Sequence, residues 1–184
     1  MKRAIEILQH LIATPSLSGN EADTADILAT ELSERGVEVC RLYNNVWALS
    51  KGYDASKPTL MLNSHQDTVK PSQAYTRNPF EPTIEDGKLY GFGSNDAGAS
   101  LVALLTTFCN NYDTSDAPYN LLLALTAEEE NMGEKGMRAF LPHLAEQGVK
   151  VDMVVVGEPT SMQAATAERG LVVLDCTAHG KSGH

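Results

Sequence analysis

The chain has 184 residues, of which 42% are hydrophobic and 21% are charged, a composition typical of a globular protein with an apolar core. Its 24 acidic residues outnumber the 14 basic ones, giving a formal net charge of −10. This surplus of negative charge would repel a nucleic-acid backbone or an anionic membrane surface, so we expect neither as a partner. The length suits one domain, or one domain and part of a second.

The composition also bears on where the protein works. The sequence contains nothing close to the ~20 consecutive apolar residues of a membrane-spanning helix, and Glu6 and Gln9 interrupt what would have to be the apolar core of a signal peptide. The three cysteines are widely spread and form no CxxC pair, which favours neither a disulfide framework nor a thiolate zinc site. We therefore expect a cytoplasmic protein.

Apolar residues at helical spacing predict four helices. The first covers residues 2–13, before Pro15, and the second follows a capping-box spacing at 18–21 and ends at Gly36. Two further helices are predicted at 97–111 and at about 134–144.

Short runs of β-branched and apolar residues predict the strands. Asp86 and Gly87 mark the turn of a tight hairpin. The other strands are predicted at 37–42, 46–50, 59–64, 120–127 and 152–156. The last three are almost wholly apolar, which is typical of buried inner strands. Strands that alternate with helices in this way predict an α/β fold with a largely parallel, mixed sheet flanked by helices.

Acidic and imidazole side chains follow the three inner strands. His65 and Asp67 come after the first of them, three glutamates at 128–130 after the second, and Glu158 after the third. The carboxyl ends of strands in an open α/β sheet line one crevice, so these side chains should converge there. Asp96 lies in a glycine-rich loop before a helix. Several carboxylates in one crevice would repel each other unless a cation neutralised them, which predicts a metal site.

The types of ligand narrow the choice of metal. An imidazole with carboxylates and no thiolate suits Zn²⁺, Co²⁺ or Mn²⁺, and we favour Zn²⁺. His65 and Asp67 are two residues apart and point the same way along a strand, so Asp67 can hydrogen-bond the ring N–H that does not face the metal.

Each of these residues also has an ordinary explanation. A run of three glutamates is usually a solvated helix start. His65 could be a polar strand end, Asp67 a turn residue, Asp96 the N-cap of the following helix and Glu158 a loop acid. All of these explanations must hold together for the metal site to be absent.

Four ordered motifs resemble the zinc aminoacylase and metallopeptidase family that contains acetylornithine deacetylase and succinyl-diaminopimelate desuccinylase. The resemblance extends over nearly the whole chain and includes weaker matches at 14–19 and 180–184. The four motifs are His65-x-Asp67, Gly-Phe-Gly-Ser-Asn-Asp at 91–96, Thr-Ala-Glu-Glu-Glu at 126–130 and Gly-Glu-Pro at 157–159.

The resemblance implies a role for each matching residue. His65 and Glu158 would bind one metal ion, Glu130 would bind a second, and Asp96 would bridge the two. Glu129 would be the general base. The resemblance also implies a cis peptide bond after Asp96.

Further expectations from the resemblance concern the remainder of the enzyme. His184 would match a histidine that reaches from the lid domain of a partner subunit to stabilise the oxyanion. The fold would be a zinc-exopeptidase-like catalytic domain at 1–165, followed at 166–184 by the first strand of an α+β lid and dimerisation domain.

Two departures from the family pattern matter. Many relatives have Asp-Glu-Glu where this chain has three glutamates, so Glu128 could be the base instead. Relatives are about twice as long, and their last metal-binding histidine lies in the second half. We therefore interpret the chain as a fragment, expect it to be inactive or nearly so alone, and expect a homodimer when it is full length.

The resemblance implies metal-dependent hydrolysis of the amide bond of an N-acyl amino acid. It favours N-acetylornithine, or another acyl-ornithine of arginine biosynthesis, as the substrate. Succinyl-diaminopimelate desuccinylase and dipeptidase activities are the alternatives within the family. A non-catalytic binding or scaffold protein with a degenerate site is the alternative from another class.

Overall fold

The structure is a computed structural model that describes residues 2–113, 115–167, 169–170, 172, 174 and 176–181. Helices and strands alternate along the first 156 residues. The helices are α1 (Lys2–Ala13), α2 (Ala22–Glu34), α3 (Ala99–Asn110) and α4 (Met137–Glu146). The strands are β1 (Cys40–Leu42), β2 (Asn45–Leu49), β3 (Thr59–His65), β4 (Thr83–Glu85), β5 (Lys88–Tyr90), β6 (Asn120–Thr126) and β7 (Met153–Val156).

Five strands form a mixed central sheet in the order β1-β2-β6-β3-β7. Strand β3 is the middle strand of the parallel part of the sheet, because it pairs in parallel with both β6 and β7. Strands β1 and β2 extend the sheet in antiparallel fashion from β6. Strands β4 and β5 form the separate hairpin predicted at Asp86 and Gly87, whose φ angles of 49° and 73° suit a tight turn. The predicted α/β class is confirmed.

Helices cover both faces of the sheet, and the side chains of β6 show how. Because successive side chains of a strand point to opposite faces, Leu121, Leu123 and Leu125 pack in one core cluster with residues of α1, α2 and α3. Leu122 and Ala124 pack in a second cluster with residues of α4. All seven residues of β6 are buried, so the strand that leads into the three glutamates is covered on both faces.

The prediction that β7 is buried was wrong. Its four residues, Met153–Val156, are between 46% and 54% exposed. Within the described part of the chain β7 pairs only with β3, so it is an edge strand of this sheet. An apolar run indicates a strand that can be buried, but it does not tell which neighbours are present to bury it.

Two helix starts differ from the prediction. The capping box at 18–21 does not form, since helix α2 begins at Ala22 and no side chain caps it. Helix α3 begins at Ala99 rather than at position 97 because an irregular helical turn, Ser94–Gly98, precedes it. Gly93 enters that turn with a φ of 71°, a conformation that costs glycine little.

The described residues after position 156 form neither a helix nor a strand. The predicted first strand of a lid domain at 166–184 includes positions outside the described residues, and it stays a prediction, as does the boundary at residue 165. In the described part of the chain, none of the helices has the length and apolar character needed to cross a bilayer. The three cysteines are unpaired, as expected.

Candidate metal centre

Three parallel strands end side by side at one edge of the sheet. His65, the last residue of β3, lies opposite Thr126, the last residue of β6, and Val156 at the end of β7 lies opposite Asn63. The segments that follow these strands therefore leave the sheet close together. Those segments carry the predicted ligands, so the convergence expected from the sequence is present in the structure.

His65 is only 2% exposed and lies at the centre of the site. Its Nδ1 is 2.9 Å from the carbonyl oxygen of Asp67 and 3.5 Å from Oδ1 of the same residue. The ring is thus held mainly by the backbone oxygen of Asp67, where the sequence had suggested the carboxylate. Its Nε2 faces outward, 3.2 Å from Oδ1 of Asp96 and 3.8 Å from Oε1 of Glu158.

The carboxylates around His65 change how it holds a proton. Burial on its own would lower the pKa of His65, but Asp67, through a hydrogen bond and its charge, together with Glu158 and Glu129, raises that pKa to about 9. In the absence of a cation, a proton on the imidazole partly neutralises the acids. A metal ion at Nε2 would take over that role.

Asp67 is fully buried and accepts several hydrogen bonds. Ser18 donates its hydroxyl at 2.7 Å, and the backbone amides of Glu129 and Glu130 donate at 3.0 and 3.2 Å. Burial would raise the pKa of Asp67, but these hydrogen bonds and the one with His65 lower it, so the residue is a carboxylate. Asp67 therefore anchors both the imidazole of His65 and the acidic loop, residues 128–130, that follows β6.

Asp96 and Glu158 reach the site from two loops. The Asp96–Ala97 peptide bond is cis, as the resemblance implied. The Glu158 loop is held by Ser64, whose hydroxyl donates to the carbonyl of Gly157 at 2.8 Å, and by the Gly157 amide, which donates to the Asn63 carbonyl at 2.7 Å. A Cβ at Gly157 would lie 2.9 Å from a methyl carbon of Leu104 and 3.0 Å from Cβ of Ser100, so a larger residue there would force neighbouring side chains to move.

The three glutamates after β6 have different surroundings. Glu129 and Glu130 each offer a carboxylate oxygen that lies within 4.8 Å of a ring nitrogen of His65. Glu128 instead accepts a hydrogen bond from the amide of Lys135 at 2.9 Å and packs against Gly133, where a Cβ would come 2.0 Å from its carboxylate. The structure thus brings Glu129 and Glu130, but not the carboxylate of Glu128, to the ring of His65.

Within the described residues, two sets of side chains could each hold a cation, and they share His65. In each set the ligand atoms lie within 4.8 Å of one another; the sets are His65 with Asp96 and Glu158, and His65 with Glu129 and Glu130. One imidazole nitrogen with carboxylate oxygens suits zinc, cobalt or manganese better than the all-oxygen shells of calcium and magnesium.

The pKa shifts of two acids, Glu130 and Glu158, are also those expected at a site that binds a cation. Burial and the charge of Asp96 raise the pKa of Glu130, and His65 opposes that change. Burial likewise raises the pKa of Glu158, with Asp96, Glu129 and Glu130 adding to the rise and His65 opposing it. Carboxylates that disfavour each other's charge in this way become stable as anions when a divalent ion lies between them.

A cavity of about 340 Å³ opens beside the site. His65, Glu129 and Glu158 line one part of it, and Met132, Met137 and Arg138 line another. Sequence reasoning missed these last three residues, because they come from the loop and helix after the acidic motif and match no motif. A cavity that places apolar and cationic groups beside candidate metal ligands can hold a small amphipathic molecule.

The fold and the site together define a metal-binding α/β domain. Residues 61–175 match the profile of Peptidase family M20/M25/M40, and the chain belongs to that family. The resemblance found in the sequence is thereby confirmed.

A curated relative shows how much of such a protein this chain represents. Over 200 residues the chain is 30% identical to a succinyl-diaminopimelate desuccinylase from Delftia acidovorans, and the match covers all of this chain and 52% of the relative. The chain therefore spans about half the length of the curated relatives that it matches.

Solved structures confirm the fold. A metallo-carboxypeptidase of the M20 family from Sulfolobus solfataricus superimposes with a TM-score of 0.69 at 24% identity, over 85% of this chain and 37% of that protein. A dinuclear metal-binding peptidase of the same family from Bacillus subtilis gives a TM-score of 0.60 at 22% identity, over 81% of this chain and 40% of that protein.

The predicted site residues divide into those that the structure brings together and one that it does not describe. His65, Asp67, Asp96, Glu129, Glu130 and Glu158 meet at one sheet edge. His184, predicted to stabilise the oxyanion, lies outside the described residues.

Proposed function

We propose that the full-length protein that carries this chain is a metal-dependent hydrolase that cleaves the amide bond of an N-acyl amino acid. The observation that carries the proposal is the meeting of His65, Asp96 and Glu158 within 4.8 Å, with Glu129 lining the same cavity. Family membership supports the reaction class, since relatives and structural neighbours carry the names of desuccinylases and metallopeptidases.

The residues fit a pair of metal ions. As the resemblance implies, His65 and Glu158 would hold one ion, Glu130 would hold the other and Asp96 would contribute to both; zinc suits these donors. The structure brings His65 within 4.8 Å of Asp96 and Glu158 in one set and of Glu129 and Glu130 in the other. When bound, such ions lower the pKa of water and polarise the scissile carbonyl. Cobalt and manganese would suit the same donors.

Glu129 would act as the general base. Its carboxylate would take a proton from the attacking water as the water oxygen bonds to the acyl carbon, and would deliver that proton to the amine nitrogen as the C–N bond breaks. Glu128 supports this role less well, because its carboxylate already accepts the Lys135 amide.

The substrate proposal favours a succinylated amino acid over N-acetylornithine. Apart from His65, Arg138 is the basic side chain among the described residues that line the cavity, and it also pairs with Glu134 at 2.7 Å. A succinyl group carries a free terminal carboxylate that Arg138 could attract, whereas an acetyl group carries none. The desuccinylase name shared by the curated relatives supports the same choice, with the deacetylase and dipeptidase activities as competitors.

A lid domain, a homodimer and a catalytic role for His184 remain proposals for the full-length protein. The negative charge of the chain supports a small-molecule substrate rather than a nucleic acid.

The test is hydrolysis of three substrates by the zinc-loaded full-length protein: N-succinyl-LL-diaminopimelate, N-acetylornithine and a dipeptide. We expect the succinyl compound to give the highest kcat/KM. Glu129→Gln should lower kcat by about 10²- to 10⁴-fold while metal is retained, and Glu128→Gln should not. A metal-loaded, folded protein that cleaves none of the three would favour the scaffold alternative.

A matched pair of arginine variants tests the substrate choice. Arg138→Gln should raise KM for the succinyl compound by about tenfold with little change in kcat, because a binding contact is lost. Arg77→Gln is the control, since Arg77 also pairs with a glutamate at 2.8 Å on the surface but lies outside this cavity. An equal effect of both variants would remove Arg138 from substrate recognition.

A further inference from the structure

Glu21 is a fully buried acid, with 0% of its surface exposed. No basic side chain of the described residues pairs with it. Burying a carboxylate is costly unless hydrogen bonds replace the water it loses, so a buried acid without a countercharge needs an explanation.

The carboxylate of Glu21 is held by three neutral donors. Its Oε1 accepts from the backbone amides of Gly19 at 2.6 Å and Glu128 at 3.2 Å, and its Oε2 accepts from the side-chain amide of Asn44 at 2.9 Å. Although Glu21 precedes helix α2, its side chain makes no capping hydrogen bond to that helix. The side chain is therefore turned away from the helix and toward the acidic loop.

Three consecutive amides of that loop are divided between two buried carboxylates. Glu21 accepts from Glu128, and Asp67 accepts from Glu129 and Glu130. Glu128 has a φ of 56°, which is uncommon for a residue other than glycine and has to be held by its surroundings. Anionic acceptors on successive N–H groups are well suited to hold such a backbone.

Hydrogen bonds also connect the surroundings of Glu21 to Gln66, the residue that directly follows β3. Thr24 donates to the side-chain oxygen of Gln66 at 2.9 Å, and Gln66 donates to the carbonyl of Asn44 at 2.8 Å. Gln66 lies between His65 and Asp67 in sequence. A substitution at Glu21 would therefore disturb both the acidic loop and the end of β3, which carry the predicted metal ligands.

We propose that Glu21 is a positioning residue that holds the Glu128 amide and so fixes the loop from which Glu129 and Glu130 reach the site. Its effect on turnover rests on the hydrolase function proposed above. Its effect on the loop and on metal affinity does not, and these can be measured without a substrate.

The experiment compares Glu21→Ala, Glu21→Gln and Glu21→Asp in the full-length protein. The glutamine keeps one oxygen for the two amides, and Asn44 can turn its side-chain amide to match. The aspartate keeps the charge but withdraws the acceptor from Glu128. Glu31→Ala is the matched control, because Glu31 is another buried acid, within α2, that pairs instead with Arg3 at 2.5 Å.

Three kinds of measurement are made: zinc affinity by chelator competition, amide hydrogen exchange of a peptide covering 127–133, and steady-state kinetics that give kcat and KM. For Glu21→Ala we expect exchange about tenfold faster, zinc affinity about 10- to 100-fold lower, and a loss concentrated in kcat. Glu21→Gln should restore all three to within about threefold of the wild type, a rescue that a bulk stability defect would not show.

Opposite outcomes overturn the proposal. Unchanged exchange and zinc affinity in Glu21→Ala would do so, as would equal losses in Glu31→Ala at a matched melting temperature. If Glu21→Ala does not fold, Glu21→Asp decides, with faster exchange supporting the proposal and wild-type exchange contradicting it. If the wild type hydrolyses nothing, exchange and zinc affinity alone decide between a positioning role and none.

Discussion

The candidate metal centre has a buried half and an exposed half. His65 and Asp67 have side chains that are 2% and 0% exposed, and the protein itself supplies their hydrogen bonds. Asp96 and Glu158 have side chains that are 56% and 34% exposed and face each other across Nε2 of His65. The buried half is thus built by folding alone, whereas the exposed half brings like charges together and would be completed by a cation.

The largest effect should come from the buried half. Asp67→Asn replaces an acceptor of several hydrogen bonds with a group that donates on one side, so donors from Ser18 or the acidic loop lose their partner. We expect the free energy of unfolding of the metal-free protein to fall by about 3 kcal/mol, measured by urea denaturation. Asp113→Asn, an exposed acid paired with Lys51, should change it by less than about 0.5 kcal/mol. A near-neutral Asp67→Asn would contradict the distinction between the two halves.

The second effect comes from supplying the cation. Zinc at about 100 times its dissociation constant should stabilise the wild type by about 2.7 kcal/mol, because a ligand that binds only the folded state shifts unfolding by mass action. Thermal unfolding with and without zinc measures this shift. Asp96→Asn, which removes a ligand from the exposed half, should lose most of it, and an undiminished shift in that variant would place the ion elsewhere.

A smaller effect is expected from the hydroxyl that supports Asp67. Ser18→Ala removes one hydrogen bond to a buried carboxylate and should cost about 1–2 kcal/mol of stability. Ser72→Ala offers a control on an exposed loop, where the hydroxyl accepts a single amide. Equal losses of stability in the two variants would show that the hydrogen bond from Ser18 to Asp67 contributes no more than a hydrogen bond on the surface.

The smallest effect should come from Asp96 in the metal-free protein. Asp96→Asn relieves repulsion with Glu130 and Glu158 but also weakens the contact of Asp96 with Nε2 of His65 at 3.2 Å. Because the two effects oppose each other, the free energy of unfolding should change by no more than about 0.5 kcal/mol. The urea denaturation used for Asp67→Asn measures it. A clear loss of stability would mean that Asp96 is held by the fold in the same way as Asp67.

The sequence could predict most of this centre because its residues follow apolar strands. The carboxyl ends of parallel strands meet at one edge, so His65, Glu129 and Glu158 could be placed together from the strand pattern alone. The resemblance then implied which residues would be ligands and which would be the base, a distinction that spacing alone does not make.

Other features depend on tertiary contacts that local patterns do not reveal. Glu21 matched a capping box, but the backbone amides of residues 19 and 128 compete successfully for its carboxylate. The apolar residues of β7 predicted a buried strand, although burial depends on neighbours on both sides. Arg138 lines the cavity because of how helix α4 packs, which a local sequence pattern does not reveal.

The parallel arrangement around β3 also has a consequence for the order of folding. Ser64 and Gly157, whose hydrogen bond holds the Glu158 loop against β3, are 93 residues apart in sequence, and Asp67 and Glu129 are 62 apart. Contacts of such large sequence separation form slowly, because long loops must close before the contacts stabilise them. During synthesis His65 must therefore wait for β7 to leave the ribosome before it meets Glu158. Binding of the proposed metal ion through that pair would consequently be a late event that follows sheet formation.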